Sequence, residues 1–291
     1  MHVEDKSSFL TFASVTPITL ISDFGSDSMY VGLLKGSILK RMPEAQIIDL
    51  THDVRKFDPV HAAFVLQAAK DAFPKGTVHI IGVNAVETPD HPHRIVKMQG
   101  QFFIGADTGI FQLMGGKKPD AVFDLSGAQT DEDLPTFPER SLFVPAATHL
   151  AKGGIPEMLG RPAALATQAE NVRPVVEGNA LVGHVRHVDG RGNCITDIDQ
   201  SLFREAGKGR SFFIDMRRAR SDIRAISRTY VDGIQGEPVA VFNSMGLLEI
   251  AICMGGSGSG YGGAAELLGL KFGDPVRIEF DSSSPSLTLE L

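Results

Sequence analysis

Several features that mark common classes of protein are missing from this sequence of 291 residues. It has two cysteines, Cys194 and Cys253, and no C-x-x-C spacing, which argues against a disulfide framework and against a cysteine-based zinc site. This cysteine usage suits a reducing compartment, so we expect a cytoplasmic protein. No apolar run reaches the length of about 18 residues that a membrane-spanning helix needs, and the weakly apolar N-terminal stretch does not predict a signal peptide.

Clusters of positive charge are also missing. The formal net charge is -7, with no block of Lys and Arg, so the sequence carries no electrostatic footprint for nucleic acid. The glycine-rich stretch 255–263 is not framed by the strand and helix of a phosphate-binding loop, and we interpret it as a flexible loop. His91 and His93 are separated by one proline, which is too weak a pattern for a metal site. We therefore predict neither a metal nor a cofactor.

The first half of the chain alternates two kinds of pattern. Short apolar runs at 17–22, 45–50 and 77–83 predict strands, and apolar residues at helical spacing predict helices at 30–42 and 59–73. Apolar strands that alternate with amphipathic helices indicate a mainly parallel sheet covered on both faces. Further along, the sequence predicts a hairpin at 95–98 and 102–104, a short helix after Asp107-Thr108-Gly109, and a helix at 141–152. We predict an α/β N-terminal domain.

From about residue 173 the sequence pattern changes. Short strands alternate with glycine turns, at 181–188, 193–197, 211–215, 236–242, 247–253, 275–280 and 285–290. This spacing predicts a smaller all-β, barrel-like C-terminal domain. The polar segment 165–178 contains Pro174 and Gly178 and is typical of a boundary. We therefore predict domains at 1–172 and 173–291.

An ordered set of stretches resembles a known family. The stretches are ITLISDFGSDSMYVGLLKG, IIDLTHDV, AAFVL, FPKGTVHIIGV, FFIGADTGIF, FVPAATHLAKGG, HVDGRGNCITDI and NSMGLLEIAICMG. Their order and spacing resemble the S-adenosylmethionine hydroxide adenosyltransferases, or S-adenosylmethionine hydrolases, with the fluorinases and chlorinases as relatives. The resemblance runs from about residue 17 to residue 291. No single stretch is decisive, but the ordered set is specific.

The resemblance implies a reaction and an assembly. The family reaction is displacement at the ribose 5′ carbon of S-adenosylmethionine, in which methionine leaves and hydroxide or a halide attacks. The family assembly is a homotrimer, with each ligand site between the N-terminal domain of one subunit and the C-terminal domain of the next. A sulfonium is already a good leaving group, so such a site needs mainly to hold the ribose and to place a partly desolvated nucleophile in line. We identify no halide pocket and therefore expect water as the nucleophile.

Four candidate ligand residues lie in the first half. Asp23 ends the first predicted strand, where open α/β sheets bind ligands, and it matches the family aspartate that holds the ribose hydroxyls. The alternative is a loop or helix-capping aspartate. Asp27 and Ser28 could meet the methionine end of the ligand, or they could simply cap the following helix. Phe57 matches a family aromatic that packs on the ligand, and a core or interface phenylalanine is the alternative.

The second half supplies the remaining ligand residues. Asp189 and Asn193 in HVDGRGN match family residues that hold the amino-acid end of the ligand, although an Asp and an Asn beside glycine are also typical of a β-turn. Ser244 matches a family position near the adenine. Glu249 alternates with apolar neighbours, so it is either a ligand residue or a structural one.

The chain departs from the family where water is activated. The hydrolases carry an Asp, Arg and His set, and at those places this chain has Asn84, then His93 followed by Arg94, and finally Pro138. An asparagine can hydrogen-bond a water but cannot act as a carboxylate base, and proline has no side-chain donor or acceptor. We predict that Asn84 orients water and that His93 or Arg94 stabilises incipient hydroxide.

Other groups in the same loop could compensate for these changes. Glu87 and Asp90 supply charge close to the two histidines of the loop. The sequence thus predicts a hydrolase that forms adenosine and methionine. The alternatives are an inactive S-adenosylmethionine or adenosine binding or regulatory protein of the same fold, and a different enzyme that acts on an adenosine-like ligand.

Overall fold

The computed structural model describes residues 16–115, 118–125, 135–166, 169, 173–215, 222–256, 258, 260 and 262–282. The chain divides after residue 170 into two compact units, and the predicted boundary at 172 lies outside the described residues. Each unit has its own buried apolar clusters. None of the helices in the described ranges combines the length and the apolar character that a membrane-spanning helix requires.

The first unit is built on a seven-stranded sheet in the order β2-β1-β3-β5-β4-β6-β7. Its strands are β1 (Ile18–Ser22), β2 (Ile47–Thr51), β3 (Val78–Gly82), β4 (His93–Met98), β5 (Gln101–Ala106), β6 (Ala121–Asp124) and β7 (Arg161–Pro162). Strands β2, β1, β3 and β5 are parallel, whereas β4, β6 and β7 pair in antiparallel fashion. The sheet is therefore mixed. The prediction of a mainly parallel sheet holds for four of its seven strands and missed the antiparallel part. The turn at Gln99-Gly100 joins β4 to β5, and so short a connection permits only antiparallel strands.

Four helices in the described part of the first unit accompany this sheet, at α1 (Met29–Arg41), α2 (Pro59–Lys70), α3 (Ile110–Leu113) and α4 (Val144–Ala151). Local sequence sets where α1 and α2 begin. Ser28 caps α1 by accepting a hydrogen bond from the Tyr30 amide, and Asp58 caps α2 by accepting one from the His61 amide. One face of the sheet packs with α1 and α4, and the other packs with α2 and α3.

A π-helical segment, Glu139–Phe143, leads directly into α4. The predicted helix at 141–152 therefore starts two residues earlier, with a wider first turn. The Val144 amide donates to the Glu139 carbonyl, five residues back. Pro145 follows and has no amide hydrogen for the carbonyl four residues before it, which favours the wider turn. Such π turns are frequent at functional sites.

The second unit holds an eight-stranded, mostly antiparallel sheet. Its strands are β8 (Val175–Glu177), β9 (Ala180–Val188), β10 (Cys194–Asp199), β11 (Phe212–Ile214), β12 (Ile226–Ser227), β13 (Pro238–Phe242), β14 (Leu247–Ile252) and β15 (Pro275–Phe280). The first half of β9 pairs with β8 and β15, and its second half pairs with β10. A β-carbon at Gly183 in β9 would lie 2.4 Å from the Ile198 side chain, so this crowded position requires glycine.

One expectation for this unit needs correction. It is not all-β, because it also contains α5 (Gln200–Gly207) and α6 (Ala264–Leu268). Its sheet is an open path that runs from β11 to β12 among the described residues, and it forms a curled half-barrel, in agreement with the barrel-like prediction. The Asp199 side chain accepts a hydrogen bond from the Leu202 amide and thereby starts α5. The predicted strand at 285–290 lies outside the described residues.

Candidate active site

The first unit gathers polar residues at one edge of its sheet. Strands β1 and β3 are parallel and end at this edge, and β4 begins there because it is antiparallel to β5. Asp23 follows β1, Asn84 comes shortly after β3, and His93 opens β4. The carboxyl ends of parallel strands are where open α/β sheets bind ligands. This edge is therefore the candidate active site.

Asp23 is held in a fixed position at the end of β1. Its side chain is 8% exposed, and its Oδ2 accepts a hydrogen bond from the Phe57 amide at 2.8 Å. The Lys56 ammonium donates to the Asp23 carbonyl oxygen, and the Asp23 amide donates to the Gly82 carbonyl at 3.4 Å. A carboxylate can accept several hydrogen bonds, so Asp23 has capacity left for a diol.

Phe57 combines an exposed ring with an unusual backbone conformation. Its side chain is 70% exposed, and its φ is +57°, which is uncommon for a residue with a β-carbon. The neighbouring Arg55 and Asp58 form an ion pair that closes this turn. A strained backbone that presents an apolar ring to the outside, beside a buried carboxylate, is typical of a ligand contact.

The loop after β1 places the next two predicted ligand residues. Ser28 caps α1, so its hydroxyl accepts the Tyr30 amide hydrogen at 3.3 Å, which is the alternative we gave for it. Asp27 is exposed in the same loop. The loop is tied to the chain after β2, because Ser26 donates from its amide and hydroxyl to Asp53, and these hydrogen bonds lower the pKa of the Asp53 carboxyl.

Asn84 and His93 lie close together at the same edge. Asn84 has a φ of +47°, another left-handed position occupied by a residue other than glycine. His93 is buried, and its Nε2 lies 2.8 Å from the Ala85 carbonyl oxygen. A carbonyl only accepts, so Nε2 carries the hydrogen and Nδ1 has a lone pair. Burial lowers the pKa of His93 and keeps this ring neutral. Its Nδ1 is 3.9 Å from Glu87 Oε2.

Arg94 occupies the opposite face of β4 from His93, because successive side chains of a strand point to opposite faces. Its guanidinium is buried and donates to Asp124 Oδ1 at 2.6 Å. His93 packs instead against Phe143, with ring centroids 4.9 Å apart. The structure therefore does not bring His93 and Arg94 to one point, and their predicted alternative roles are spatially separate.

Glu139 is a titratable residue of this edge that the sequence analysis missed. It directly follows Pro138, opens the π-helical segment, and is 4% exposed. Burial, with a smaller contribution from the nearby Asp23 charge, raises the pKa of its carboxyl to about 7, against the lowering effect of its own backbone amide. The signal that could have identified Glu139 is its place in the sequence, directly after Pro138, which stands where the family has a histidine.

An aromatic group lines the same region. The Phe137 ring packs edge-on against Tyr30 at 5.2 Å and against Phe24 at 5.9 Å between centroids. Gly82 lies beneath Glu139 and Phe24, since a β-carbon there would be 3.1 Å from Glu139 Oε1 and 3.3 Å from the Phe24 ring. The close packing over Gly82 beside the Phe24 ring shields Glu139 from bulk solvent, and this desolvation is the main physical cause of its raised pKa.

In the second unit, Asp189 and Asn193 lie together in a tight turn. Asp189 Oδ1 accepts hydrogen bonds from the amides of Arg191 and Asn193 at 2.8 and 2.9 Å, and its Oδ2 accepts one from Asn193 Nδ2 at 3.2 Å. The turn that we gave as the alternative is thus present, and a ligand role for the two residues stays a prediction.

Ser244 and Glu249 differ in their surroundings. Ser244 is exposed in the turn between β13 and β14. Glu249 is 3% exposed in β14 and accepts a hydrogen bond from Asn243 Nδ2 at 2.9 Å. Burial, together with the Glu249 charge and its hydrogen bond, raises the pKa of Tyr230 to about 12. These contacts fit the structural reading of Glu249.

The fold and the edge residues define a class. This is an α/β protein with a carboxylate fixed at the end of β1, an exposed aromatic side chain beside it, and a nearby buried carboxyl under apolar cover. The sequence profile for the SAM hydroxide adenosyltransferase N-terminal domain matches residues 18–160, and the profile for the corresponding C-terminal domain matches residues 183–277. The chain belongs to the SAM hydroxide adenosyltransferase family.

Individual relatives span nearly the same length. The (R)-S-adenosyl-L-methionine hydrolase of Thermus thermophilus is 33% identical over 277 residues, covering 90% of this chain and 99% of the relative. That of Methanocaldococcus jannaschii is 26% identical over 272 residues, covering 90% and 95%. A solved structure of an uncharacterized conserved protein from Thermotoga maritima is similar with a TM-score of 0.80, 27% identity and coverage of 90% and 99%. The solved structure of a conserved hypothetical protein from Thermus thermophilus gives a TM-score of 0.67 and 31% identity, again with coverage of 90% and 99%.

Proposed function

We propose that this protein is a hydrolase that converts S-adenosylmethionine into adenosine and L-methionine. A water oxygen attacks the ribose 5′ carbon, the bond from that carbon to the sulfonium sulfur breaks, and its electron pair stays on sulfur as neutral methionine. One proton of the water is released. The observation that carries the proposal is the fixed Asp23 carboxylate at the carboxyl end of β1, in a chain 33% identical to a relative named as this hydrolase.

The residues at the sheet edge support a division of roles. Asp23 has the capacity to hold the ribose diol by charge-assisted hydrogen bonds. The exposed Phe57 ring, next to Asp23, offers an apolar surface for the ligand. Asn84 and the neutral His93 can hydrogen-bond a water and orient it toward the sulfonium-bearing carbon. The other proposed ligand residues are Asp27, Ser28, Asp189, Asn193, Ser244 and Glu249.

Further properties belong to the same proposal. The relatives are named for the (R) sulfonium epimer, and we take that epimer as the substrate. The reaction needs neither a redox step nor a metal, so we expect turnover with substrate and water alone. The family resemblance also supports a cytoplasmic homotrimer.

The decisive experiment follows the oxygen atom. Each sulfonium epimer is incubated with the protein in ¹⁸O-labelled water, and the products are measured by mass spectrometry. We expect equal amounts of adenosine and methionine from the (R) epimer, with the label in adenosine. Asp23→Ala should abolish turnover and ligand binding, because it removes a charge-assisted contact, whereas Asp120→Ala at an exposed site should change neither.

Two outcomes would contradict the proposal. Calorimetric binding without any adenosine formation would mean that the protein binds the ligand but is catalytically inactive. Label in a product other than adenosine would mean a different reaction. The assembly is tested separately by light scattering, which should give the mass of a trimer, and a monomer at micromolar concentration would contradict that part.

A further inference from the structure

Two carboxyl groups lie close together at the candidate active site, and only one of them has a role so far. Asp23 follows β1, and Glu139 opens the π-helical segment. The two are near enough for the Asp23 charge to affect the ionisation of Glu139. Gly82, at the end of β3, lies between them. Its carbonyl accepts a hydrogen bond from the Asp23 amide, and the Glu139 carboxyl occupies the space beside its α-carbon where a side chain would lie.

Among the described residues, the one charge that shifts the ionisation of Glu139 is that of Asp23, which has the same sign and cannot neutralise it. Arg140 follows Glu139 in the π-helical segment, and His93 from β4 packs on Phe143 of that segment. Lys56 is engaged with the Asp23 carbonyl oxygen. Phe24 supplies apolar contact. A carboxyl in this setting exchanges its proton close to neutral pH rather than holding a permanent charge.

The position of Glu139 also meets a chemical need. Asn84 and Pro138 stand where the family resemblance calls for an aspartate and a histidine, and neither can accept a proton. Glu139 adjoins Pro138 in the chain and reaches the same edge as Asp23. A carboxyl whose ionisation lies near the working pH is an efficient general base.

Building on the proposed function, we propose that Glu139 is the proton acceptor for the attacking water. As the water oxygen forms its bond to the 5′ carbon, one water proton passes to a Glu139 carboxylate oxygen. The carbon–sulfur electron pair leaves with methionine, so adenosine, methionine and a neutral Glu139 carboxyl result. The carboxyl returns its proton to solvent before the next attack, so the net products are adenosine, methionine and one proton.

The charge of the substrate fits this role. A bound sulfonium cation favours the ionised form of a nearby carboxyl, so it lowers the pKa of Glu139 from its value of about 7 in the free protein. Near neutral pH the base is therefore partly protonated while the site is empty, and the bound cation favours its ionised form. After the reaction the methionine sulfur is neutral, so the positive charge near Glu139 is gone. The pKa of the Glu139 carboxyl then rises again.

The test compares three substitutions with the wild-type protein. Glu139→Gln keeps the shape of the neutral carboxyl but cannot accept a proton, Glu139→Asp keeps the acid on a shorter side chain, and Glu157→Gln makes the same change at an exposed glutamate of the same unit. We expect Glu139→Gln to lower kcat by about 10²–10⁴-fold, with unchanged calorimetric affinity for adenosine. The rise of kcat/KM with pH near neutrality should disappear in Glu139→Gln, persist with lower kcat in Glu139→Asp, and match wild type in Glu157→Gln.

A second measurement does not depend on turnover. Infrared difference spectra of the ligand-free protein should show the carbonyl stretch of a protonated carboxyl, which disappears as the pH rises through about 7 and is missing in Glu139→Gln. A Glu139→Gln protein with wild-type rate and pH profile overturns this inference alone. Loss of adenosine affinity in step with the loss of rate also overturns it, since that result assigns Glu139 to structure. Absence of wild-type turnover overturns the proposed function and this inference together.

Discussion

The Phe57 amide donates a hydrogen bond to Asp23 Oδ2 at 2.8 Å while Phe57 itself has a φ of +57°. The turn that contains Phe57 therefore both holds the Asp23 carboxylate in place and exposes the Phe57 ring to solvent. The backbone conformation and the ring can be tested apart, because glycine tolerates a positive φ and alanine does not.

We predict that Phe57→Ala and Phe57→Gly weaken ligand binding equally, since both remove the exposed ring. Their stabilities should differ, with Phe57→Gly more stable than Phe57→Ala by about 1 kcal/mol, because glycine relieves the left-handed strain. Calorimetry with adenosine and urea unfolding measure the two effects. Phe57→Leu is the control that keeps apolar area. Wild-type affinity in both Phe57→Ala and Phe57→Gly would show that the ring does not contact the ligand.

Glu139 should make the folded protein less stable as the pH rises. Its pKa is raised from 4.5 to about 7 in the folded state, so the folded protein binds more protons than the unfolded chain between these values. The contribution of Glu139 to stability is fully present below the lower value and is lost as the pH rises through the upper one. We expect the wild-type protein to lose about 2–3 kcal/mol relative to Glu139→Gln over this window.

The measurement for this prediction is the difference in unfolding free energy between Glu139→Gln and wild type, obtained from urea curves at several pH values. Taking the difference removes the contributions of all other titrating groups. Glu157→Gln provides the matched control and should give a flat difference. A flat difference for Glu139→Gln as well would show that its carboxyl is not desolvated in the folded protein.

His79 should have the opposite effect on acid stability. Its ring is fully buried, hydrogen-bonds to Thr19 Oγ1 at 2.7 Å and stacks on Phe103 with 4.5 Å between centroids. Burial lowers the pKa of His79 from 6.5 to about 4, against the raising effect of Gln101. The unfolded chain therefore binds more protons in this window, and stability is lost as the pH falls from the upper value toward the lower one.

We expect His79→Leu to be less stable than wild type at pH 7 by about 1–3 kcal/mol, because buried polar partners of the ring lose their hydrogen bonds. This difference should shrink as the pH falls toward about 4, since only the wild-type protein must then charge or expose a buried histidine. Thermal and urea unfolding of both proteins, with His91→Gln as the control, test the trend. A difference that stays constant with pH would contradict it.

Arg94 and His93 should behave differently when replaced, because they lie on opposite faces of β4. Arg94→Met breaks the ion pair with Asp124, so we expect lower stability and an unchanged shape of the pH–rate profile. His93→Gln removes a ring beside Asn84 and should lower kcat by about 10-fold or more while the rise near neutral pH persists. If His93 were the base, its lowered pKa would place that rise below pH 6.5, and His93→Gln would abolish it.

The local elements of this protein could be predicted from its amino-acid pattern. Strand β1 and helix α1 lie within one residue of their predicted bounds and helix α2 within three, because hydrophobic period and capping residues act over a few neighbours. The hairpin of β4 and β5 was readable from its turn at Gln99-Gly100 for the same reason. Asp23 could be singled out because a polar residue that ends an apolar strand marks the carboxyl edge of a sheet.

The way in which these elements combine depends on contacts that the local pattern does not contain. The mixed pairing of the sheet depends on contacts between distant strands, and α5 is too short for its period to stand out among strands. The bond from Phe57 to Asp23 spans 34 positions. Glu139 looked ordinary in the sequence because its pKa depends on desolvation, and desolvation is set by Phe24, Gly82 and Asp23 from other parts of the chain. Burial is a property of the packed molecule. The sequence could therefore indicate the sheet edge that binds the ligand, but not the buried Glu139 carboxyl at that edge.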